Sequence, residues 1–536
     1  MSPRHWALVG LAAVMTGGGV TVLCPADARA DDYSDLLDIL RAKGALTQGE
    51  YSTLLVRHLH RTAAPVRPAR HAAAAHHDRP VPVATADDAG DAGGRMAPMV
   101  AAARQAADSA AASARSAQEA MLAAQSEIDS PSVVRIANYV PGKGLTFHAG
   151  PVDINFSGFI NGFYSYNSPS GGRPVAGGLS TGGSGFDSSS VRNGLLPAGF
   201  IVKLTTTQSG IDLGAVLGMY PGIDNANPGA FNANSGGSPV GLGTPGIDLR
   251  QVYITAGTKS AGTVKIGRDL ALFGSDAILD DATLLSVGSV GSNASPGNTS
   301  LGRIGVGYVY ADWIPQISYA SPVIHGVQGS VGIFQPLDEY NYAGDNLSAS
   351  SIQHSSPMVQ GKVTYDFKSG DLSGRIWAGF LVQHQQDLTG ANIPTDARRG
   401  AMAEAGEIGA KLTYGRAQGV AYYYRGSGLG TTGLFFDGVA ANGRKRDSEG
   451  YYVQGSYAFT KHFKLVGSYG VSNLYQAPGE DSSLLVRRNE SEVGAGYYTL
   501  TDWLTLVAEY AHTQADAHGP DSARDNTVSA GAILFF

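Results

Sequence analysis

The side chains able to do chemistry in this chain are charges, and they fall into two patterns. One is a set of carboxylates, Asp269, Asp276, Asp280 and Asp281, in the stretch "DLALFGSDAILDDATLLSVGSVGSNASPGNTSLGRIG". The other is a set of cations placed between apolar neighbours, such as Lys203 between Val202 and Leu204 and Lys265 between Val264 and Ile266. Charges spaced in this way steer ions; bond-breaking needs a nucleophile, a base and an orienting group together. "GLGTTG" and "GSVGSNASPG" are rich in glycine but lack the lysine and the strand–helix setting of a phosphate loop. The histidines of "HRTAAPVRPARHAAAAHHDRP" could hold a metal, but the tract reads as solvated low complexity, so neither metal nor cofactor is expected.

Composition narrows the framework that must position these charges. The chain has 72 glycines, 25 tyrosines and 17 phenylalanines with only 15% charged residues, which suits a sheet with many turns. Arg4 and His5 precede an apolar run from Ala7 to Leu23, and "ADARADD" offers small residues at Ala28 and Ala30. Residues 1–30 therefore read as a secretory signal peptide. A lipid anchor on Cys24 is the rival, but Leu23 stands where a small residue should precede it. Cys24 is the single cysteine, so the secreted remainder has no disulfide, thiolate or Cys-ligated zinc. The net charge is −7, and about −8 once Arg4, Arg29 and Asp27 leave with the signal, which argues against nucleic acid as a partner. No later stretch approaches the roughly 18 apolar residues of a membrane helix.

Four regions follow the signal. Residues 31–61 read as a short helical segment, with Leu36, Leu37 and Leu40 on one face, a stop at Gly44, and a capping box at Thr47 and Glu50. Residues 62–97 form an Ala/Pro/His-rich linker. Residues 98–142 hold an Ala-rich helix in which Val100, Ala103, Ala107, Ala110, Ala114, Ala117, Met121, Ala124 and Ile128 recur at spacings of three and four. That spacing fits either a coiled-coil seam or a lone helical spacer. Residues 143–536 are the main domain.

That domain is a series of alternating segments. Sixteen strands are expected near 151–166, 197–208, 211–220, 247–257, 262–268, 314–321, 326–335, 356–367, 373–385, 403–414, 417–426, 450–459, 462–473, 487–500, 503–513 and 525–536. "MVQGKVTYDF" shows the pattern, with Val359, Val363, Tyr365 and Phe367 on one face and Gln360, Lys362, Thr364 and Asp366 on the other. Short turns such as "TQSG", "GTKSAG" and "LTDW" alternate with longer loops. Regular alternation suits an all-β transmembrane barrel whose two rims face different compartments, and less a sandwich. The final "NTVSAGAILFF" then pairs with the first strand "VDINFSGFINGFYSY", which abolishes a free edge. By parity Lys203, Lys265, Lys362, Lys411, Lys464, Glu492 and Glu509 point inward, while the parity of Arg250 in "LRQVYITAG" is ambiguous. A slightly acidic barrel suggests a weak preference for cations. His512 fits the outer wall, but no serine near it could complete a catalytic set, so no enzyme is expected.

"LRQVYITAGTKSAGTVKIGRD" (249–269), then a long excursion, then "ISYASPVIHGVQGSVGIF" (317–334) resemble the Gram-negative trimeric porins. "AEAGEIGAKLTYGRAQGVAYYY" (403–424) resembles a later hairpin of that family, and "LLDILRAKGALTQGEY" a segment preceding many of its barrels. The likeness covers most of residues 150–536. It implies an outer-membrane homotrimer passing ions and small hydrophilic solutes passively. It also implies that residues 269–305 fold inward as a third-loop constriction presenting Asp269, Asp276, Asp280 and Asp281 to cations opposite. An external cap over the barrel mouth, or capping of a short helix by Asp280 and Asp281, stays open beside it. Substrate-specific passage of sugar or phosphate, supported by Tyr422–Tyr424, and a sealed structural or adhesive barrel are the alternatives. Phe536 resembles the family's terminal aromatic signal to the barrel assembly machinery. Outer-membrane lipid is the remaining partner, with peptidoglycan reached through a periplasmic N-terminal extension.

Overall fold

A computed structural model describes residues 109, 112, 113, 115–122, 134–136 and 142–536, apart from 172, 180–186, 224–246, 290–298, 391, 392 and 394–399. All fall within the compact unit Ala106–Phe536. The expected signal, helical segment and linker lie outside the described residues, as does most of 98–142, of which residues 115–122 are helical and exposed.

The strands in chain order are β1 (Val134–Ile136), β2 (Leu145–Ala149), β3 (Val152–Ser170), β4 (Ser188–Arg192), β5 (Gly199–Gln208), β6 (Ile211–Pro221), β7 (Ile247–Thr258), β8 (Gly262–Leu270), β9 (Trp313–Ala320) and β10 (Val327–Phe334). They continue with β11 (Met358–Ser369), β12 (Leu372–Gln385), β13 (Ala401–Tyr414), β14 (Ala417–Ser427), β15 (Asp447–Ala458), β16 (Phe463–Leu474), β17 (Val486–Thr499), β18 (Leu504–Ala517) and β19 (Ser522–Phe535). β3 and β5 to β19 form one closed antiparallel ring of sixteen. β3 pairs with β5, and β19 returns to β3 with Val528 opposite Tyr166 and Phe535 opposite Phe159. The seam expected between the chain's last and first barrel strands is therefore made.

Alternation explains why these segments are strands and why they close. Along β11, Val363 and Tyr365 are exposed on the outer face, whereas Met358 and Gln360 are buried inside. The same outward exposure recurs at Ile160, Ile254, Ile317, Ile408 and Val453 around the ring. An apolar outer band suits hydrocarbon, and there every backbone N–H and C=O must be paired within the protein, which closure achieves.

β3 is longer than any of its partners and carries two of the unexpected strands. β2 pairs with its lower part, Val152 to Phe156, just below the stretch that β19 covers. β4 pairs with its upper part, Phe163 to Asn167, above the point where β5 leaves it. The connections alternate between a short-turn rim (209–210, 259–261, 415–416) and a long-loop rim (271–312, 335–357, 428–446). The last connection on the long-loop rim departs from this: only 518–521 separate β18 from β19. Both strands continue past the apolar alternation, since the backbone ladder persists through Asp516 opposite Ser522 regardless of side-chain type.

The apolar core lies inside the ring, at its long-loop half. Phe273, Tyr308, Val309, Leu429, Phe435 and Phe436 from the long connections pack on inward Trp377, Tyr422, Tyr424 and Tyr452.

Candidate functional site

The described parts of the connection from β8 to β9, residues 271–289 and 299–312, run inside the barrel along its wall. They hold one short helix, α1 (Ser275–Asp280), and a 3-10 turn (Ala282–Leu285). So short a run cannot satisfy its own backbone, and inward side chains of five strands do so instead. Gln360 of β11 accepts from the backbone N–H groups of Leu272 and Phe273, both at 2.9 Å. Glu407 of β13 accepts from the Gly274 N–H at 2.8 Å and from the Tyr422 hydroxyl at 2.8 Å. Gln454 of β15 donates to the Asp280 carbonyl and accepts from the Ala282 N–H, each at 2.8 Å. The hydroxyls of Tyr452 and Tyr497 donate to the carbonyls of Ala277 at 2.9 Å and Ala282 at 2.7 Å. Glu509 of β18 accepts from the Ser286 hydroxyl and from the Gly288 N–H at 2.5 Å.

Charge pairing follows the same route. Lys362 pairs with Asp276 and donates to the Ser275 hydroxyl at 2.6 Å. Arg375 of β12 reaches Asp276 at 3.1 Å and grips Asp366 through two hydrogen bonds at 2.7 and 2.8 Å. Lys411 donates to Asp280 at 2.6 Å. Burial pushes the Asp280 carboxyl above the ordinary aspartate range, with Lys411 opposing that shift.

The sequence-derived residues divide accordingly. Asp276, Asp280, Lys362 and Lys411 come together at the segment. Asp281 does not face open lumen: it caps the 3-10 turn, accepting from the Thr283 N–H at 3.1 Å, the Thr283 hydroxyl at 2.6 Å and the Tyr308 hydroxyl at 2.8 Å. Asp269 sits on β8 rather than in the loop, accepting from Gln251 at 3.0 Å and pairing with Lys265, whose ammonium lies 4.9 Å from the Tyr253 ring centre. Arg250 is inward and buried, 2.8 Å from Asp248. The ambiguity at Arg250 has a cause: pairing slips between Gly218 and Tyr220 of β6, so Arg250 and Gln251 both turn inward across the irregularity. Lys203 projects from the inward face of β5 and is exposed, with Leu204 outward. Lys464 lies over the Tyr497 ring, 4.8 Å from its centre.

Glu492 requires a correction. Its neighbours Ser491 and Val493 are the buried, inward residues of β17, and Glu492 itself is exposed on the outer face opposite His512. Here the inner face is apolar, because Val493, Ala495, Tyr497, Val507 and Ile533 lie where the segment covers the wall, and several of them pack with Val287. The polar-inside rule of a wet lumen fails where a loop lines it.

Sequence reading missed Arg375, Glu407 and the glutamines as anchors. Gln360 falls on the polar face of its strand, and its chemistry is the signal: a glutamine offers both donor and acceptor to an irregular backbone. It also missed a second cluster at the long-loop rim. There Arg446, fully buried, donates to Glu480 at 2.9 and 2.5 Å, to the Ser348 hydroxyl at 2.7 Å, and to the carbonyls of Asp437 at 2.9 Å and Leu347 at 2.7 Å. One guanidinium thus ties three connections together.

The comparisons with known proteins bear on this arrangement. A family profile described as Gram-negative porin matches residues 100–530. No curated protein matches by sequence. Among solved structures, the outer-membrane channel DcaP of Acinetobacter baumannii is similar with a TM-score of 0.52 and 16% identity, covering 74% of this chain and 100% of that one. In-vitro folded OmpT of Vibrio cholerae in its trimer form gives 0.42 and 14%, covering 72% and 99%. OmpF of Salmonella typhi in complex with daunomycin gives 0.45 and 11%, covering 73% and 100%.

Proposed function

Because this chain belongs to the Gram-negative porin family, and so forms an outer-membrane channel for passive diffusion of ions and small hydrophilic solutes, we propose that the inward segment 271–289 is its constriction. The observation that carries this is the anchoring of one apolar segment to Gln360, Glu407, Gln454 and Glu509, inward side chains of four different strands. A segment held at so many points narrows the passage permanently, and its carboxylates sit against wall cations as the charged lining of the neck. Size and charge then decide what passes, and no reaction is required of the protein. Tyr422 and Tyr424 are buried behind the segment and offer a solute no surface, which favours general diffusion over a sugar-specific path.

Planar-bilayer recording tests the proposal. Removing residues 276–285 should raise single-channel conductance, and unchanged conductance in a correctly folded barrel would sink the constriction. Absence of current in the intact protein would instead favour a sealed structural or adhesive barrel. As further parts of the same reading, the chain assembles as a homotrimer, Phe536 serves as its signal to the barrel assembly machinery, and the segment before residue 143 extends into the periplasm towards peptidoglycan. Pull-down of residues 31–140 with purified sacculi, against a scrambled segment, tests the last of these.

A further inference from the structure

We infer that the short-turn half of the lumen favours anions, so that the channel passes small carboxylate- and phosphate-bearing solutes more readily than cations of the same size. The inference rests on the channel reading above and names its solute class. It runs against the weak cation preference that net acidity suggests, because acidity counted along the chain differs from acidity presented to the water.

The carboxylates at the neck are spent on partners. The Asp269, Asp276 and Asp280 side chains keep 10%, 6% and 11% of their exposure, while Lys265, Arg375 and Lys411 beside them keep 29%, 43% and 36%. In these pairs the cation is the more exposed partner, and Lys362, which also holds Asp276, keeps 13%. Asp281 is turned onto Thr283 and Tyr308, and Glu509 onto the backbone of the segment, so neither adds negative charge to the path. Asp366 is the exposed exception, and Arg375 holds it through two hydrogen bonds.

Three inward wall cations remain after this pairing. Lys203, Lys368 on the same face of β11 as Lys362, and Lys464 have no carboxylate partner among the described residues, and all three are exposed. Lys464 also lines a cleft of about 400 Å³ at the short-turn rim together with Arg416, Lys461, Thr413, Gln418 and Ser456, a lining without a carboxylate. Asp212, exposed near the turn below β5 and hydrogen-bonded to Thr207 at 2.6 Å, and Asp153, exposed on β3 and 2.6 Å from His148, are the opposing charges there. An unpaired charge roughly 10 Å from the ion's path in water shifts the anion-to-cation ratio by about fourfold, since it attracts one ion and repels the other. The effect must shrink as salt shortens the screening length from about 10 Å at 0.1 M to about 3 Å at 1 M.

The test is the reversal potential of the full-length protein in a planar bilayer under a KCl gradient, at low and at high salt. Chloride preference at low salt that fades at high salt is expected. Lys203→Met, Lys368→Met and Lys464→Met should each cut that preference by about fourfold, and the three together should bring it close to none. All three positions lie outside the inward segment, and single-channel conductance checks that the barrel is intact. A potassium-preferring channel, or a chloride preference unmoved by the three substitutions, overturns the inference while leaving the channel standing. If no current flows at all, the channel reading fails and takes this inference with it.

Discussion

At the scale of single residues, Asp312 shows how the long connection is joined to the wall. It precedes β9, has a positive φ of 61°, is almost wholly buried, and accepts from the Trp313 N–H at 2.6 Å. Burial pushes its carboxyl up to about 7, against the opposing pull of the Trp313 N–H, Arg268 and Arg250. The folded value lies above the ordinary aspartate value of 3.8. The folded state therefore binds the proton more tightly, and stability falls as pH rises from about 4 through about 7. Asp312→Asn keeps the acceptor and removes the titration. Thermal unfolding in detergent at pH 5 and pH 8 should differ less in the variant than in the parent, by a few kcal/mol at most. An unchanged difference would refute this account of the joint. Residues of this kind were legible only where one rule applied. Parity placed Lys203, Lys265, Lys362 and Lys411 on the inner face, but it misplaced Glu492, because an apolar segment covers that stretch of inner wall.

At the scale of elements, the long connections behave as a second, inner structure tied at few points. Arg446 is the principal tie at the long-loop rim. Its pairing with Glu480 holds that carboxyl below the ordinary glutamate range even though burial alone would push it up. A lowered folded value means that the stabilisation is complete above the ordinary glutamate pKa and is lost as pH falls through the lowered one. Limited proteolysis of residues 335–357 and 475–485 should accelerate below about pH 4 and stay slow at neutral pH. Arg446→Ala should bring rapid cleavage at every pH, since breaking a buried pair costs about 3–5 kcal/mol. Equal cleavage of parent and variant would refute the tie. Sequence gave little access to this layer. Strands announce themselves by period, whereas Arg446 and Glu480 meet only because three loops of unrelated pattern converge.

At the scale of the whole molecule, the sixteen-strand ring was legible because each wall segment repeats one alternation and the ring needs only their sum. β1, β2 and β4 were not, since β2 and β4 pair with the two ends of an over-long β3, β1 pairs with β2, and none of the three carries much alternation of its own. Closure depends on a close approach at the seam. Phe536 and Gly158 exchange backbone hydrogen bonds at 3.0 Å in both directions. A Cβ built on Gly158 would lie 2.4 Å from the Gly199 carbonyl oxygen and 2.6 Å from the Phe536 ring. The first of these is backbone and cannot swing aside, so Gly158→Ala should destabilise the closed ring by about 1–3 kcal/mol. The readout is the fraction of protein that keeps the compact electrophoretic mobility of an unheated barrel. Undiminished compact protein would show that the seam has slack. Phe536→Ala should lower the amount assembled in cells more than the amount refolded in detergent.

The placement of Trp377 provides an optical consequence. The chain has four tryptophans, and among those described Trp377 alone is fully buried, stacked 6.4 Å from Tyr422 beneath the inward segment, while Trp503 is well exposed on the outside. Indole emission shifts to longer wavelength as water reaches the ring. With Trp6, Trp313 and Trp503 replaced by phenylalanine, the colour of the remaining emission becomes a gauge of whether the segment lies on the wall or has lifted from it. It can be read in intact vesicles with no label attached.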